Sequence, residues 1–323
     1  MPHVLIPDNV NPKAINVLNA TDGITVDAPG KLTAEALVTQ VPTANALIVR
    51  SGVQITPEVF AAAPALKAIA RAGVGVDNID LDAATGHGVV VMNTPGGNTI
   101  STAEHTLGLM LALARHIPQG DASLKAGRWD RKQLVGVELK NKTLGIIGFG
   151  RVGQAVAVRA KAFEMMVIAS DPIVSDEVYS NMGVEKVTAD ELYARADFIT
   201  LHAPHIAATE GMINADTIAK MKDGVRIVNA ARGALINDAD LATAIKAGKV
   251  AGAALDVYAV EPPPSDHPLV GLDGVIDTPH LAASTSDAQV TVAVQAAQLV
   301  TRALLQGVYD NVVNPDVLGK LEG

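Results

Sequence analysis

Cysteine is absent, and aromatic residues make up only 3% of the 323-residue chain. The first absence excludes disulfides, a thiolate nucleophile and any Cys-ligated metal. The second leaves Ala, Val, Leu and Ile to fill the cores of a chain that is 49% apolar. Such a composition suits buried parallel strands covered by helices. Positive charge is also scarce: 25 Lys and Arg stand against 34 Asp and Glu, for a net charge of −9. With no long run of Lys or Arg, general nucleic-acid binding is not expected, and an anionic ligand would need a local cluster of Arg to hold it. The longest strongly apolar stretch, LGLMLALA at 107–114, falls far short of the roughly 18 residues that span a bilayer. MPHVLIPDNV has no basic region followed by a long apolar run, so no signal peptide is read. These absences together predict a cytoplasmic protein with no membrane partner.

What is present is a strand–helix rhythm. HVLIP (3–7), ITVDA (24–28), ALIVRS (46–51), LKAIARAG (66–73) and VVVMN (89–93) read as strands, with helical segments such as NPKAINVLNA and TPEVFAAA between them. Alternation of this kind implies right-handed crossovers and a parallel sheet. A long helical pattern, STAEHTLGLMLALARHIPQ, follows, with Ser101 and Glu104 as a capping box. A second series begins at KTLGIIGFG (142–150) and continues through MVIASD, FITLHAP, VRIVNAARG, AGAALDV and GVIDTPH. A last long helix is expected from about Ser286, capped by Ser286 and Gln289, to about Gln306. Length and rhythm together predict two α/β domains, and the final helix has no sheet of its own.

LGIIGFGRVGQAVA places Gly148, Gly150 and Gly153 in the G-x-G-x-x-G spacing between a strand and a helix. Gly148 permits a tight turn, Gly150 lets backbone approach a pyrophosphate, and Gly153 brings the helix close to the strand. The helix N-terminus then offers N–H groups and a positive dipole end to phosphate. Asp171 ends the next strand, near the spacing expected of a carboxylate that binds a ribose. Its charge repels a 2′-phosphate and no Arg or Lys adjoins it, so NAD is expected over NADP.

Three further strand ends carry polar residues: Arg232 in VNAARGALI, Glu261 in DVYAVEPPP and His280 in TPHLAAST. The carboxyl edge of an open α/β sheet is where ligands bind. Arg232 reads either as a surface ion pair or as a fork for a substrate carboxylate. Glu261 reads as a loop carboxylate or as the acceptor that fixes the tautomer of His280. A His so held can take a hydroxyl proton as hydride leaves the same carbon. Taken alone, His280 would more often be a packing residue. His202, in TLHAPH, reads as lining a cofactor cleft, while His105 and His116 on the long helix read as packing or surface residues. No two histidines show a ligand spacing beside acidic partners, so no metal is expected.

Taken together, the glycine loop, Asp171, NAARGALI, ALDVYAVEPP and TPHLAAST resemble the D-isomer-specific 2-hydroxyacid dehydrogenases over essentially the whole chain. RAGVGVDNIDL, NTPGGNTISTAEHT, GRWDRKQLVGVELKNKTLGIIGFGRVG and SDPIVSDE are most similar to the branch that oxidises 3-phospho-D-glycerate. The resemblance implies a Rossmann cofactor domain (99–285) inserted into a flavodoxin-like substrate domain (1–98 plus 286–323), both doubly wound parallel-sheet domains. Closure on ligand is expected about Asn98–Ser101 and Ala283–Ser286. It implies Arg232, Glu261 and His280 as the catalytic trio and Asp256 near the nicotinamide. Around NAD it implies Val74, the loop from Gly148 to Gly153 with Arg151 and Val152, and Ala203, Ala230 and Ala283, besides Asp171, Arg232, Asp256 and His280.

For the substrate, the glycine-rich turn at Val74 and Gly75 reads either as a simple turn or as a source of backbone N–H groups for a carboxylate, alongside Arg232 and His280. Arg50 and Arg71 end strands of the first domain, and the resemblance implies that they and Arg131 contact a substrate phosphate, Arg131 across a homodimer or homotetramer. The sequence departs from that branch at Val74, where Thr is usual, at Ala230 in place of Cys and at Ala282 in place of Gly. The chain stops at Gly323 without the C-terminal regulatory domain of many relatives, so feedback control through such a domain is not expected. The acid expected is 3-phospho-D-glycerate, on the way to serine. The rivals are another 2-hydroxy acid (glyoxylate/hydroxypyruvate, or one bearing a sulfonate or phosphonate) and an NAD-sensing binding protein or corepressor.

Overall fold

A computed structural model describes residues 1–321. The chain divides into two compact units, one formed by Met1–Asn98 with Ser284–Gly323 and the other by Thr99–Ala283.

The first unit contains a five-stranded sheet of β1 (His3–Leu5), β2 (Thr25–Asp27), β3 (Ala46–Val49), β4 (Ala68–Arg71) and β5 (Val90–Asn93), in the order β2-β1-β3-β4-β5. Every pairing is parallel. β3 and β5 are buried at every position because both faces are covered. Alternate side chains go to opposite faces. Ala46, Ile48, Ala68 and Ala70 meet one core, and Leu47, Val49, Ile69 and Val91 the other. Their small size lets the helix Ser286–Gln306 pack on the first face through Val292, Ala293, Ala296 and Val300. The capping residue of this helix is Thr285, whose hydroxyl accepts from Ala288 N–H at 3.1 Å. Ser286 is already helical, so the box expected at Ser286 and Gln289 is displaced by one position. The chain then returns along β5. Val313 N–H donates to the Val91 carbonyl at 2.8 Å, and the Asn314 amide oxygen accepts from Val91 N–H at 2.9 Å. The outer edge of β5 therefore finds partners for its polar backbone.

The second unit contains seven parallel strands: β6 (Thr143–Ile147), β7 (Met166–Ser170), β8 (Glu185–Lys186), β9 (Phe198–Leu201), β10 (Val225–Asn229), β11 (Val250–Leu255) and β12 (Val275–Asp277). Their order, β12-β11-β10-β9-β6-β7-β8, winds outward in two directions from β6 and β9. That junction is the switch point where doubly wound sheets bind ligands. The long helical pattern is broken. A helix covers Thr99–Arg115, His116 takes a left-handed φ of 53°, and a second helix covers Ile117–Lys125 with Pro118 in its first turn. Ser101 lies inside the first of these helices and is buried, so the capping box expected there does not form. Among the described residues no helix is long and apolar enough to cross a membrane.

Candidate active site

The three glycines of the β6 loop differ in their surroundings. Gly148 has φ +89°, and a Cβ there would stand 2.5 Å from the carbonyl carbon of His202 and 2.6 Å from the nitrogen of Ala203. A Cβ on Gly153 would meet the Gly148 carbonyl oxygen at 2.3 Å, so this glycine seats the helix Arg151–Ala162 on the loop. Gly150, the residue capping that helix, has open space within 4 Å of its missing Cβ. An anion can thus reach backbone at a helix N-terminus. Arg151 is exposed, while Val152 and Ala203 are half-buried.

Asp171 is fixed to this loop. Its carboxylate accepts from Phe149 N–H at 2.8 Å, and its other oxygen accepts from Ile173 and Val174 N–H at 2.8 and 3.2 Å. Phe149 in turn stacks on Tyr179 with ring centroids 4.6 Å apart. Burial, followed by the charge of Asp171, pushes the Tyr179 phenol up to about 12. The open glycine turn, the helix terminus and the held carboxylate together fit a dinucleotide's diphosphate and ribose. His202 packs at the end of β9 with its Nε2 2.9 Å from the Thr200 hydroxyl, and burial pushes its imidazole down to about 3.

At the same carboxyl edge of this sheet, after its outermost strand β12, His280 Nδ1 lies 2.7 Å from Glu261 Oε2. Glu261 Oε1 accepts from Tyr258 N–H at 3.1 Å, so backbone orients the carboxylate. With Glu261 ionised, Nδ1 carries the proton and Nε2 is left as the acceptor. The His280 ring is half exposed and its backbone is left-handed, with φ +54°.

Arg232 follows β10 on a turn built by Asn229, a wholly buried residue. The Asn229 side chain donates to the Arg232 carbonyl at 2.9 Å and accepts from Ala231 N–H at 3.0 Å. Gly233 lets that turn approach the Glu261 loop, since a Cβ there would stand 2.0 Å from the Tyr258 carbonyl carbon. Ala230 and Ala282 are buried and Ala283 is half-buried.

The sequence placed His105 among packing or surface residues, and the structure corrects this. His105 Nε2 lies 3.1 Å from Asp256 Oδ1. The Asp256 side chain, put near a nicotinamide by resemblance, is completely covered. It also accepts from the Thr278 hydroxyl at 2.6 Å and from Leu281 and Ala282 N–H at 2.7 and 2.8 Å. Burial alone would raise its pKa. The bonds from His105, Thr278, Leu281 and Ala282 outweigh that and hold it below the usual carboxylate value.

In the first unit, Arg50 and Arg71 sit at the carboxyl ends of the adjacent strands β3 and β4. Asp8, itself buried, accepts from the N–H groups of Arg50 and Gly52 at 2.9 Å each and so shapes the Arg50 loop. The Arg71 guanidinium lies across Gly73, where a Cβ would stand 1.3 Å from Nη1. Val74 is exposed, its carbonyl accepting from the Asn93 side chain at 2.7 Å, and Gly75 beside it is half-buried. Arg131 belongs to the other unit and is exposed. The roles of Asn229, Gly233 and Asp8 had only faint signals: a polar residue ending an apolar strand, or a Gly directly after a charge.

Residues 107–282 match the family model described as D-isomer specific 2-hydroxyacid dehydrogenase, NAD binding domain. The chain belongs to this family. Its NAD-binding unit carries the glycine loop, Asp171, Arg232, Glu261 and His280. Among curated relatives, D-3-phosphoglycerate dehydrogenase of Archaeoglobus fulgidus is 52% identical over 91% of the chain and 56% of the relative. The enzyme of the same name from Methanocaldococcus jannaschii is 49% identical over 100% of the chain and 62% of the relative. The chain thus spans little more than half the length of these relatives. A glyoxylate reductase structure from Paecilomyes thermophila superposes with a TM-score of 0.88 at 30% identity, covering 97% of this chain and 98% of the other. A structure from Thermus thermophilus gives 0.87 at 35%, covering 96% and 99%.

Proposed function

We propose that the chain is an NAD-dependent dehydrogenase that oxidises 3-phospho-D-glycerate to 3-phosphohydroxypyruvate, an entry step to serine. The observation that carries the reading is the 2.7 Å contact of His280 with Glu261 at the carboxyl edge of the sheet that also bears the glycine loop. Bound NAD supplies the hydride acceptor. Gly148, Gly150 and the N-terminus of the helix Arg151–Ala162 hold its diphosphate, and Asp171 its ribose. Asp171 also sets the preference for NAD, because its charge repels a 2′-phosphate. Arg232 grips the substrate carboxylate as a bidentate fork. Nε2 of His280 takes the hydroxyl proton during oxidation and returns it during reduction, while Glu261 keeps the ring in the required tautomer. Arg50 and Arg71 hold the phosphate, a role supported by their places at neighbouring strand ends and by the names of the relatives. Ile117, Leu124, Trp129 and Val135 are exposed within one segment, which supports a homodimer or homotetramer. The compartment proposed is the cytoplasm.

A second reading, reduction of glyoxylate or hydroxypyruvate, is favoured by the likeness to the glyoxylate reductase structure and by Val74 in place of the usual Thr. One experiment separates the two. NADH oxidation is followed with a panel of 2-keto acids, and 3-phosphohydroxypyruvate is expected to give the highest kcat/KM. Preference for an unphosphorylated acid would establish the second reading. Tight NADH binding with no turnover of any acid would instead indicate an NAD-sensing protein. In the same assay His280→Ala should lower kcat by roughly 10²- to 10⁴-fold while NADH still binds.

A further inference from the structure

We propose that His105 and Asp256 are positioning residues that hold the His280 turn in its working conformation, behind the His280–Glu261 contact. The kinetic part of this inference rests on the dehydrogenase reading above, and the structural part does not.

A left-handed backbone is disfavoured for any residue but glycine. It persists only where the surroundings over-determine it. His280 is such a residue, with φ +54°. Nearly everything that determines its turn comes from Asp256. The Asp256 carbonyl accepts from His280 N–H at 2.8 Å. Its carboxylate accepts from the Thr278 hydroxyl, Leu281 N–H and Ala282 N–H, so groups from both sides of His280 converge on one side chain.

That side chain has no exposed surface. A buried carboxylate is costly unless polar hydrogens surround it. The donor furthest away in sequence is His105 Nε2, which lies 3.1 Å from Oδ1 and 3.4 Å from the Thr278 hydroxyl. His105 stands on the helix Thr99–Arg115, whose buried residues pack into the core beneath β6 and β10. The helix thus holds His105, His105 helps to keep Asp256 a carboxylate, and Asp256 holds the turn. Without the imidazole donor, Asp256 is short of one partner. Protonation would turn one of its oxygens into a donor and displace an N–H of the turn.

His105→Leu and His105→Gln in the full chain test this. Amide hydrogen exchange is read at Leu281 and Ala282, and kcat and the NADH KM in the keto-acid assay. In the leucine variant the two amides should exchange at least tenfold faster, and kcat should fall by up to about 100-fold, the scale of a misplaced catalytic group. The NADH KM should not change. Glutamine, whose Nε2 is a donor at similar reach, should restore both quantities. Unchanged exchange at 281 and 282 would overturn the proposal. So would faster exchange across the whole unit with no rescue by glutamine, because His105 would then merely support the fold. Should the leucine variant not fold, Thr278→Val removes another bond to the same carboxylate, and unchanged exchange there would likewise overturn the proposal. A wild-type chain that turns over no keto acid would defeat the dehydrogenase reading and leave the exchange result to decide the holding of the turn.

Discussion

Two glycine-rich turns leave the ends of parallel strands in this chain, one after β6 and one after β4, and they are furnished in opposite ways. After β6 the chain enters a twelve-residue helix, and the space beside Gly150 is open. Attraction for an anion there comes from backbone N–H groups and the helix terminus. After β4 the first following helix is only six residues, at Leu81–Gly86, and the space beside Gly73 is filled by the Arg71 guanidinium. Attraction there comes from a side-chain cation. Glycine serves access to backbone in the first turn and room for an arginine in the second. The presence of glycine after a strand therefore says nothing about which chemistry a turn performs.

The largest effect is expected at Gly148, where the β6 turn has no room to adjust. Gly148→Val combines a disfavoured φ of +89° with a Cβ 2.5 Å from backbone. It should destabilise the unit by on the order of 4 kcal/mol and abolish NAD binding. Thermal unfolding and NADH fluorescence would check both, and a folded, NAD-binding variant would refute the steric account. Arg71→Ala should come next. Loss of a charge-assisted contact worth about 1.5–3 kcal/mol should lower kcat/KM for 3-phosphohydroxypyruvate by roughly 10- to 100-fold. Turnover of unphosphorylated hydroxypyruvate should hardly change. Gly73→Ala should give the same selective loss together with a lower melting temperature, because the added methyl displaces the guanidinium and φ +146° is strained for any side chain. Equal losses on both acids would mean that the β4 turn serves the carboxylate or the fold.

Gly150→Ala sharpens the contrast further. Its open surroundings should leave the melting temperature of the ligand-free protein nearly unchanged, while NADH affinity falls by roughly tenfold, or about 1.4 kcal/mol. Near neutral pH the smallest effect is expected at His202, whose contribution changes only in acid. Its folded pKa, near 3, lies below the ordinary 6.5. The unfolded chain therefore binds the proton first. The stability that neutral His202 contributes is complete above pH ~6.5 and is lost progressively as pH falls toward ~3. His202→Gln should flatten that part of the melting-temperature profile, and an unchanged profile would show that the ring is not a source of acid sensitivity.

Much of the architecture could be read from the sequence because strands buried on both faces are continuous apolar runs. ALIVRS and VVVMN show this, and each contains the strand found there. β8, only Glu185 and Lys186, is too short and too exposed to leave a pattern. The break at His116 was hidden because an apolar pattern continues across it. Helix starts were misplaced where two candidate caps stood together, as with Thr285 and Ser286. At the site, the glycine loop was legible because its spacing is local. The Asp256–His105 contact was not, because its partners lie 151 positions apart and a single His on an apolar helix has no periodic signature.

The helix Ser286–Gln306 also bears on how the protein is made. It completes a core whose strands were all synthesised before Asn98. At roughly 5–20 residues per second, a ribosome needs about 10–40 s to cross the intervening ~190 residues. During that interval one face of the β1–β5 sheet is covered only by the helix Lys13–Asn19, through Ala14 and Leu18, while Thr99–Ala283 emerges as an uninterrupted stretch. The nascent N-terminal region therefore waits for its last helix with part of an apolar sheet face open to solvent.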